Sequence, residues 1–126
     1  MADAVVTLTA RKKMVRARAG ESSLPSIVGM AFGTGGVTEA GIPIIPDGTD
    51  EGLKNEIFRK PVDSYTFTDD TTCRYLCTLA VNECANEDIS ELGLYDSDGD
   101  IIAIKTFKAK GKDADLEMTF RIDDIF

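Results

Sequence analysis

The chain changes its hydrophobic rhythm once, near residue 26, and that change predicts its layout. In the first 20 residues Val6, Ala10, Met14 and Ala17 recur at helical spacing, a narrow apolar stripe on an otherwise basic segment. A helix is expected from Ala10 to Gly20, with Thr9 as its cap and Gly20 at the left-handed position that ends it. A start at Ala2 is the alternative, and Val5 to Thr9 also reads as a short strand. From Ser26 to Phe32 the period becomes two, with Val28, Met30 and Phe32 opposite Ile27, Gly29 and Ala31, so this segment predicts a strand that the turn Gly33-Thr34-Gly35-Gly36 stops.

Residues 37 to 50 hold glycines and prolines around Ile42, Ile44 and Ile45 and predict a long surface loop with a hydrophobic anchor. Thr49 or Asp50 then caps an expected short helix running to about Phe58, with Leu53 and Ile57 on one face. Beyond Pro61 the pattern is strand and turn. Val62 to Thr68 and Cys73 to Val81 flank the turn cluster Asp69 to Thr72 and predict a hairpin. Leu92 and Leu94, then Ile102 and Ile104 with Ile101 and Ala103 on the opposite face, flank Asp98-Gly99, a favoured tight-turn pair. A last hairpin is expected between Ile101 to Lys108 and Leu116 to Ile122, with Leu116, Met118, Phe120 and Ile122 facing one way. The sum is an α+β fold, mainly antiparallel β. It is a small β-sandwich-like sheet of six strands, or seven with Val5 to Thr9, carrying an N-terminal helix and a short helix in the long loop.

With 126 residues the chain fits one domain, taken as 1–126. No apolar run reaches the roughly 20 residues that span a bilayer, and the opening Met1-Ala2-Asp3 lacks a secretory layout, so a cytoplasmic origin without membrane contact is expected. Acidic residues outnumber basic ones, 22 to 14, and the net charge of −8 argues against a nucleic-acid partner. The charge is split. Arg11, Lys12, Lys13, Arg16 and Arg18 face only Asp3 in the first 20 residues, giving a +4 head and leaving −12 for the remainder. The head reads as a solvated cationic face or as a contact for the acidic surface of a neighbouring subunit.

The sequence contains no histidine, which removes Ser-His-Asp and Cys-His nucleophiles and imidazole acid/base chemistry. The glycine turn lacks the spacing of a phosphate loop. Cys73 and Cys77, four residues apart on one strand, are roughly 13 Å apart at strand rise, too far for a disulfide or a shared zinc ion, and read as core thiols; Cys84 lies past the strand end. A carboxylate hydrolase using Glu91 and Glu117 finds no support in a chain without Trp. The DSDGD run, Asp96 to Asp100, opens like an EF-hand loop but puts Ile101 and Phe107 where that loop needs glycine and glutamate. Solvated aspartates on a tight hairpin are expected; a calcium-binding interaction module using Asp96, Asp98 and Asp100 is the alternative.

The order of these features resembles the N-terminal domain of phage tail-collar fibre proteins and their short stand-alone relatives in phage and prophage tail modules. The resemblance runs over nearly the whole chain. It rests on the basic helix, the strand with its glycine turn at 27–36, Asn55-Glu56-Ile57-Phe58-Arg59, and above all ISELGLYDSDGDIIAIKTF at 89–107. It implies a structural tail protein, not an enzyme, without cofactor or metal. Such a protein would be a collar, baseplate or fibre-attachment component in the virion tail, formed in the bacterial host cytoplasm and joining other tail proteins as a homo-oligomer, a trimer being favoured. The sequence ends at Phe126 where fibre proteins continue into a shaft, which favours attachment over receptor binding. The interface candidates are Arg11, Lys12, Arg16, Ile42, Ile44, Ile45, Ile125 and Phe126.

Overall fold

A computed structural model describes residues 4–126. Val5–Val6 form a two-residue strand, β1, and helix α1 follows at Leu8–Arg18. The N-cap is Thr7, not Thr9: its hydroxyl accepts from the Ala10 amide at 3.1 Å, which leaves Thr9 inside the first turn. The expected exit holds. Gly20 has φ +83°, its amide donates to the Ala17 carbonyl, and the Glu21 amide reaches back to Arg16, a Schellman closure. The alternative start at Ala2 lies outside the described residues.

Strands β2 (Ile27–Gly33), β3 (Glu56–Pro61), β4 (Ser64–Asp69), β5 (Thr72–Leu79), β6 (Glu87–Asp96), β7 (Ile101–Lys112) and β8 (Met118–Ile125) complete the fold. They build two antiparallel sheets, one in the order β1-β7-β6-β2-β3 and one in the order β4-β5-β8. The expected α+β, mainly antiparallel sandwich is therefore present, with eight strands among the described residues. The hairpins β4–β5 and β6–β7 form as the turn residues dictate.

Three expectations fail, each for a physical reason. The helix expected to run to Phe58 is a loop followed by β3, whose Phe58 stands opposite Phe32 and whose Arg59 stands opposite Ala31. Residues 53 and 57 fit a helical repeat as well as an edge strand, and pairing with β2 decides between them. The strand expected over Val62 to Thr68 divides, Val62 joining the crossover from one sheet to the other and β4 starting at Ser64. The last hairpin does not form: β7 continues to Lys112 through the basic run that reads as loop, and β8 crosses to the smaller sheet to pair with β5, Phe120 opposite Cys77 and Ile122 opposite Tyr75. Leu116 lies exposed before that strand begins.

The sheets meet face to face over Met30, Phe32, Leu92, Leu94, Ala103 and Phe107 from the larger and Cys77, Leu79, Phe120 and Ile122 from the smaller. The Phe32 and Phe120 rings pack edge to face at 5.4 Å, and burying side chains of this size contributes about 1.5–3 kcal/mol each. The outer face of the larger sheet is also covered, with Ala31, Ile101 and Ile104 lying under Leu53 and Tyr95. Cys77 is a core thiol, as read from the sequence, and burial pushes it up to about 11; Cys73, read the same way, is corrected to a half-buried residue lining a cleft at the edge of the core, and Cys84 is half-buried.

Candidate functional site

The segments that carry the family resemblance lie far apart in sequence and converge in space. At one junction the Glu91 side chain, 1% exposed, accepts from three backbone amides: Lys54 on Oε1 at 2.9 Å, and Asn55 and Gly35 on Oε2 at 2.8 and 2.9 Å. The Asn55 amide group donates to the Thr34 hydroxyl and its carbonyl accepts from the Thr34 amide, so the 54–55 segment is clamped onto the glycine turn. Next to it the Gly36 amide donates to the Ser90 hydroxyl, and a Cβ on Gly36 would stand 2.1 Å from the Ser90 carbonyl oxygen. These amides are spent within the chain: the glycine turn holds a carboxylate of its own protein where a phosphate loop would hold a ligand. Glu91 is equally committed, and Glu117, its suggested hydrolytic partner, lies exposed between β7 and β8.

A second junction joins α1 to the β6–β7 turn. Lys13 shares the inward side of the helix with Ala10, Met14 and Ala17, and its ammonium lies 2.6 Å from Asp96, 3.0 Å from Asp98 and 2.8 Å from Asp100. The expectation of solvated aspartates holds for Asp98 and Asp100, which stay exposed, and is corrected for Asp96, which is buried. Those three carboxylates offer oxygens within 4.8 Å of one another, and the lysine fills the position a cation would take among them. Asp96 is almost fully buried, and its other oxygen accepts from the Asp98 and Asp100 amides, which fixes the turn. Partial burial works against the Lys13 charge, but the hydrogen bonds to Asp100, Asp96 and Asp98 outweigh it and raise the ammonium above the ordinary lysine range. On the far side of the turn, Arg59 donates to the Gly99 carbonyl at 2.9 Å, pairs with Glu56 and lies 4.6 Å over the Tyr95 ring.

The interface candidates are dispersed. Arg11 donates to the Gly48 carbonyl in the 37–50 loop and Lys12 lies 4.0 Å from Glu51 just beyond it, while Arg16 is exposed on the helix surface. Ile42 and Ile45 are exposed, but Ile44 is half-buried and pinned, its amide on the Gly36 carbonyl and its carbonyl receiving the Thr106 hydroxyl. Ile125 is partly exposed and Phe126 projects from the end of β8. Sequence reasoning missed the neighbours of Phe126. Tyr65 and Phe67 stand 61% and 71% exposed on β4, at the open edge of the smaller sheet. The available signal was the aromatic pair alternating with threonine in SYTFTD, at the open end of a hairpin.

No helix among the described residues is long and apolar enough to cross a membrane. A comparison with curated proteins gives no match. The profile of one family, described as phage tail-collar fibre protein, N-terminal, matches residues 1–121.

Proposed function

The chain belongs to the phage tail-collar fibre protein family by its N-terminal domain, and from that premise we propose that it is a collar, baseplate or fibre-attachment component of a phage or phage-like tail, acting through protein–protein assembly and not through catalysis. Membership of the family supports a structural role in a phage tail. The observation that carries the finer reading is the group of large apolar side chains that the smaller sheet holds in solvent: Tyr65, Phe67 and Phe126 around one cleft at the rim of the sandwich. Contiguous exposed apolar surface marks a contact waiting for its partner. The acidic groups that reactive chemistry would need are instead tied down, Glu91 by backbone amides and the aspartate turn by Lys13.

The proposed partners are other tail or baseplate proteins and further copies of the chain, with a trimer as the favoured symmetric form and assembly in the host cytoplasm. Native mass spectrometry, followed by fractionation of tail particles, tests this. A discrete oligomer, or the chain found in particles, is expected; a strictly monomeric protein absent from particles overturns the reading.

A further inference from the structure

Between α1 and the three-stranded sheet the sandwich opens into a cleft of about 410 Å3. Its upper wall is aliphatic, with Met14 and Leu24, and its lower wall is aromatic. The Tyr65 ring meets Phe67 edge-on at 5.9 Å and lies 6.1 Å from Tyr75, tilted by 40°, so the three rings form one aromatic cluster, with Phe126 beside them. Two carboxylates line the cleft, and they differ in kind. Asp96 is neutralised by Lys13. The carboxylate of Asp124, a residue opposite Cys73 in the strand register, has no hydrogen bond or ion pair among the described residues. Lys13, the cleft's lysine, is already committed to three aspartates. Burial pushes the Asp124 carboxyl above its ordinary range, as a desolvated anion without a counter-charge requires.

We propose that this cleft receives an arginine-bearing segment of a neighbouring tail polypeptide, the guanidinium stacking on a ring face of the Tyr65, Phe67 and Tyr75 cluster and pairing with Asp124. Charge selects the occupant. An anionic group would meet an unneutralised carboxylate, and a purely apolar segment would strip water from Asp124 and leave it unpaired, which is costly. A guanidinium satisfies both features of the floor at once, because it stacks on ring faces and grips a carboxylate with two parallel hydrogen bonds. The aliphatic wall then takes the residues on either side of the arginine. The proposal rests on the assembly reading above and specifies the chemistry of the partner at one surface.

The probe is the N-acetylated, C-amidated tripeptide leucyl-arginyl-leucine, titrated into the folded chain and followed by amide and ring NMR shifts. Its counterpart has citrulline, isosteric with arginine but uncharged. The arginine peptide should move signals of Tyr65, Phe67, Tyr75 and Asp124 and bind roughly tenfold more tightly than the citrulline peptide. Asp124→Asn should abolish that preference while leaving a folded protein, and Phe67→Ala should weaken both peptides. Equal affinity for the two peptides, shifts confined to the exposed Asp98 and Asp100, or a preference that survives Asp124→Asn overturns the proposal, as does no binding at the solubility limit. Free arginine amide binding as tightly as the tripeptide would point to a small-molecule site and also overturn it. Arginine selectivity in a chain that never oligomerises or joins particles removes the assembly reading and with it the tail origin of the occupant. Absence of selectivity in a chain that does assemble removes the cleft proposal alone.

Discussion

Lys13 and Asp96 lie 83 positions apart in sequence, and their charged atoms lie 2.6 Å apart. One carboxylate oxygen holds the helix while the other holds the amides of its own turn, so helix and hairpin cannot separate without exposing or orphaning a buried charge.

Replacing Lys13 by Met keeps the helix and most of the side-chain packing but leaves Asp96 unpaired. A loss of about 2 kcal/mol is expected in urea unfolding. Because the folded-state ammonium titrates above its ordinary value, its contribution is fully present below about pH 10 and fades as pH rises through the folded value. On the alkaline side the gap between wild type and Lys13→Met should therefore narrow only in strongly alkaline solution. With the lysine in place, millimolar calcium should not shift the wild-type melting curve; a saturable upward shift would show that the ion displaces it.

Glu91→Gln swaps one acceptor oxygen for an NH2 group aimed at amides that are themselves donors. The expected cost is about 2–3 kcal/mol, read as a lower urea midpoint at unchanged slope. Gly36→Ala should cost at least as much, because the new methyl meets the Ser90 carbonyl oxygen and neither backbone can move alone.

At the start of α1, Thr7 serves two elements. Its hydroxyl accepts from the Ala10 amide and donates to the Ile101 carbonyl at 2.9 Å. Thr7→Val conserves shape and removes both bonds, for an expected loss of about 1–2 kcal/mol, while Thr7→Ser should recover most of it. Equal stability of all three proteins would contradict the cap assignment.

Asp124 predicts the opposite sign. Its folded-state pKa is raised, so the folded chain binds the extra proton and stability falls as pH climbs from the ordinary aspartate value through the folded one. Asp124→Asn should raise Tm by a few degrees at pH 7 and leave it nearly unchanged near pH 3, where both side chains are neutral. Thermal melts at the two pH values check this. A stability gain paired with lost partner binding is the usual mark of a group kept for contact.

Local chemistry made part of this fold legible. Asp98-Gly99 announces its turn, Gly20 announces the end of the helix, and the alternation of Cys77 and Leu79 announces the buried face of β5. Pairing partners were not legible, because β8 alternates equally well beside β7 or β5, and only the packing of Phe120 between Phe32 and Phe107 selects the crossover. The junction at Lys13 left a trace: a lysine at position 13 shares the helix side of Ala10, Met14 and Ala17, and a charge inside an apolar stripe calls for an opposite charge. The three aspartates on the turn were that charge. Glu91 left none, since a glutamate on a strand does not reveal that three backbone amides will meet it. The cleft was hidden for the same reason, its walls coming from α1, β4, β5 and β8, which only the finished fold brings together.

The crossing of β8 also ties the cleft to the completion of the smaller sheet. The larger sheet needs nothing from β8 to complete its ladder, whereas β5 has an open edge, and the aromatic cleft lacks Asp124 and Phe126, until β8 arrives. The same pairing that gives β5 its second neighbour therefore puts Phe120 and Ile122 into the core and Asp124 and Phe126 into the cleft, so the cleft and the core share one strand.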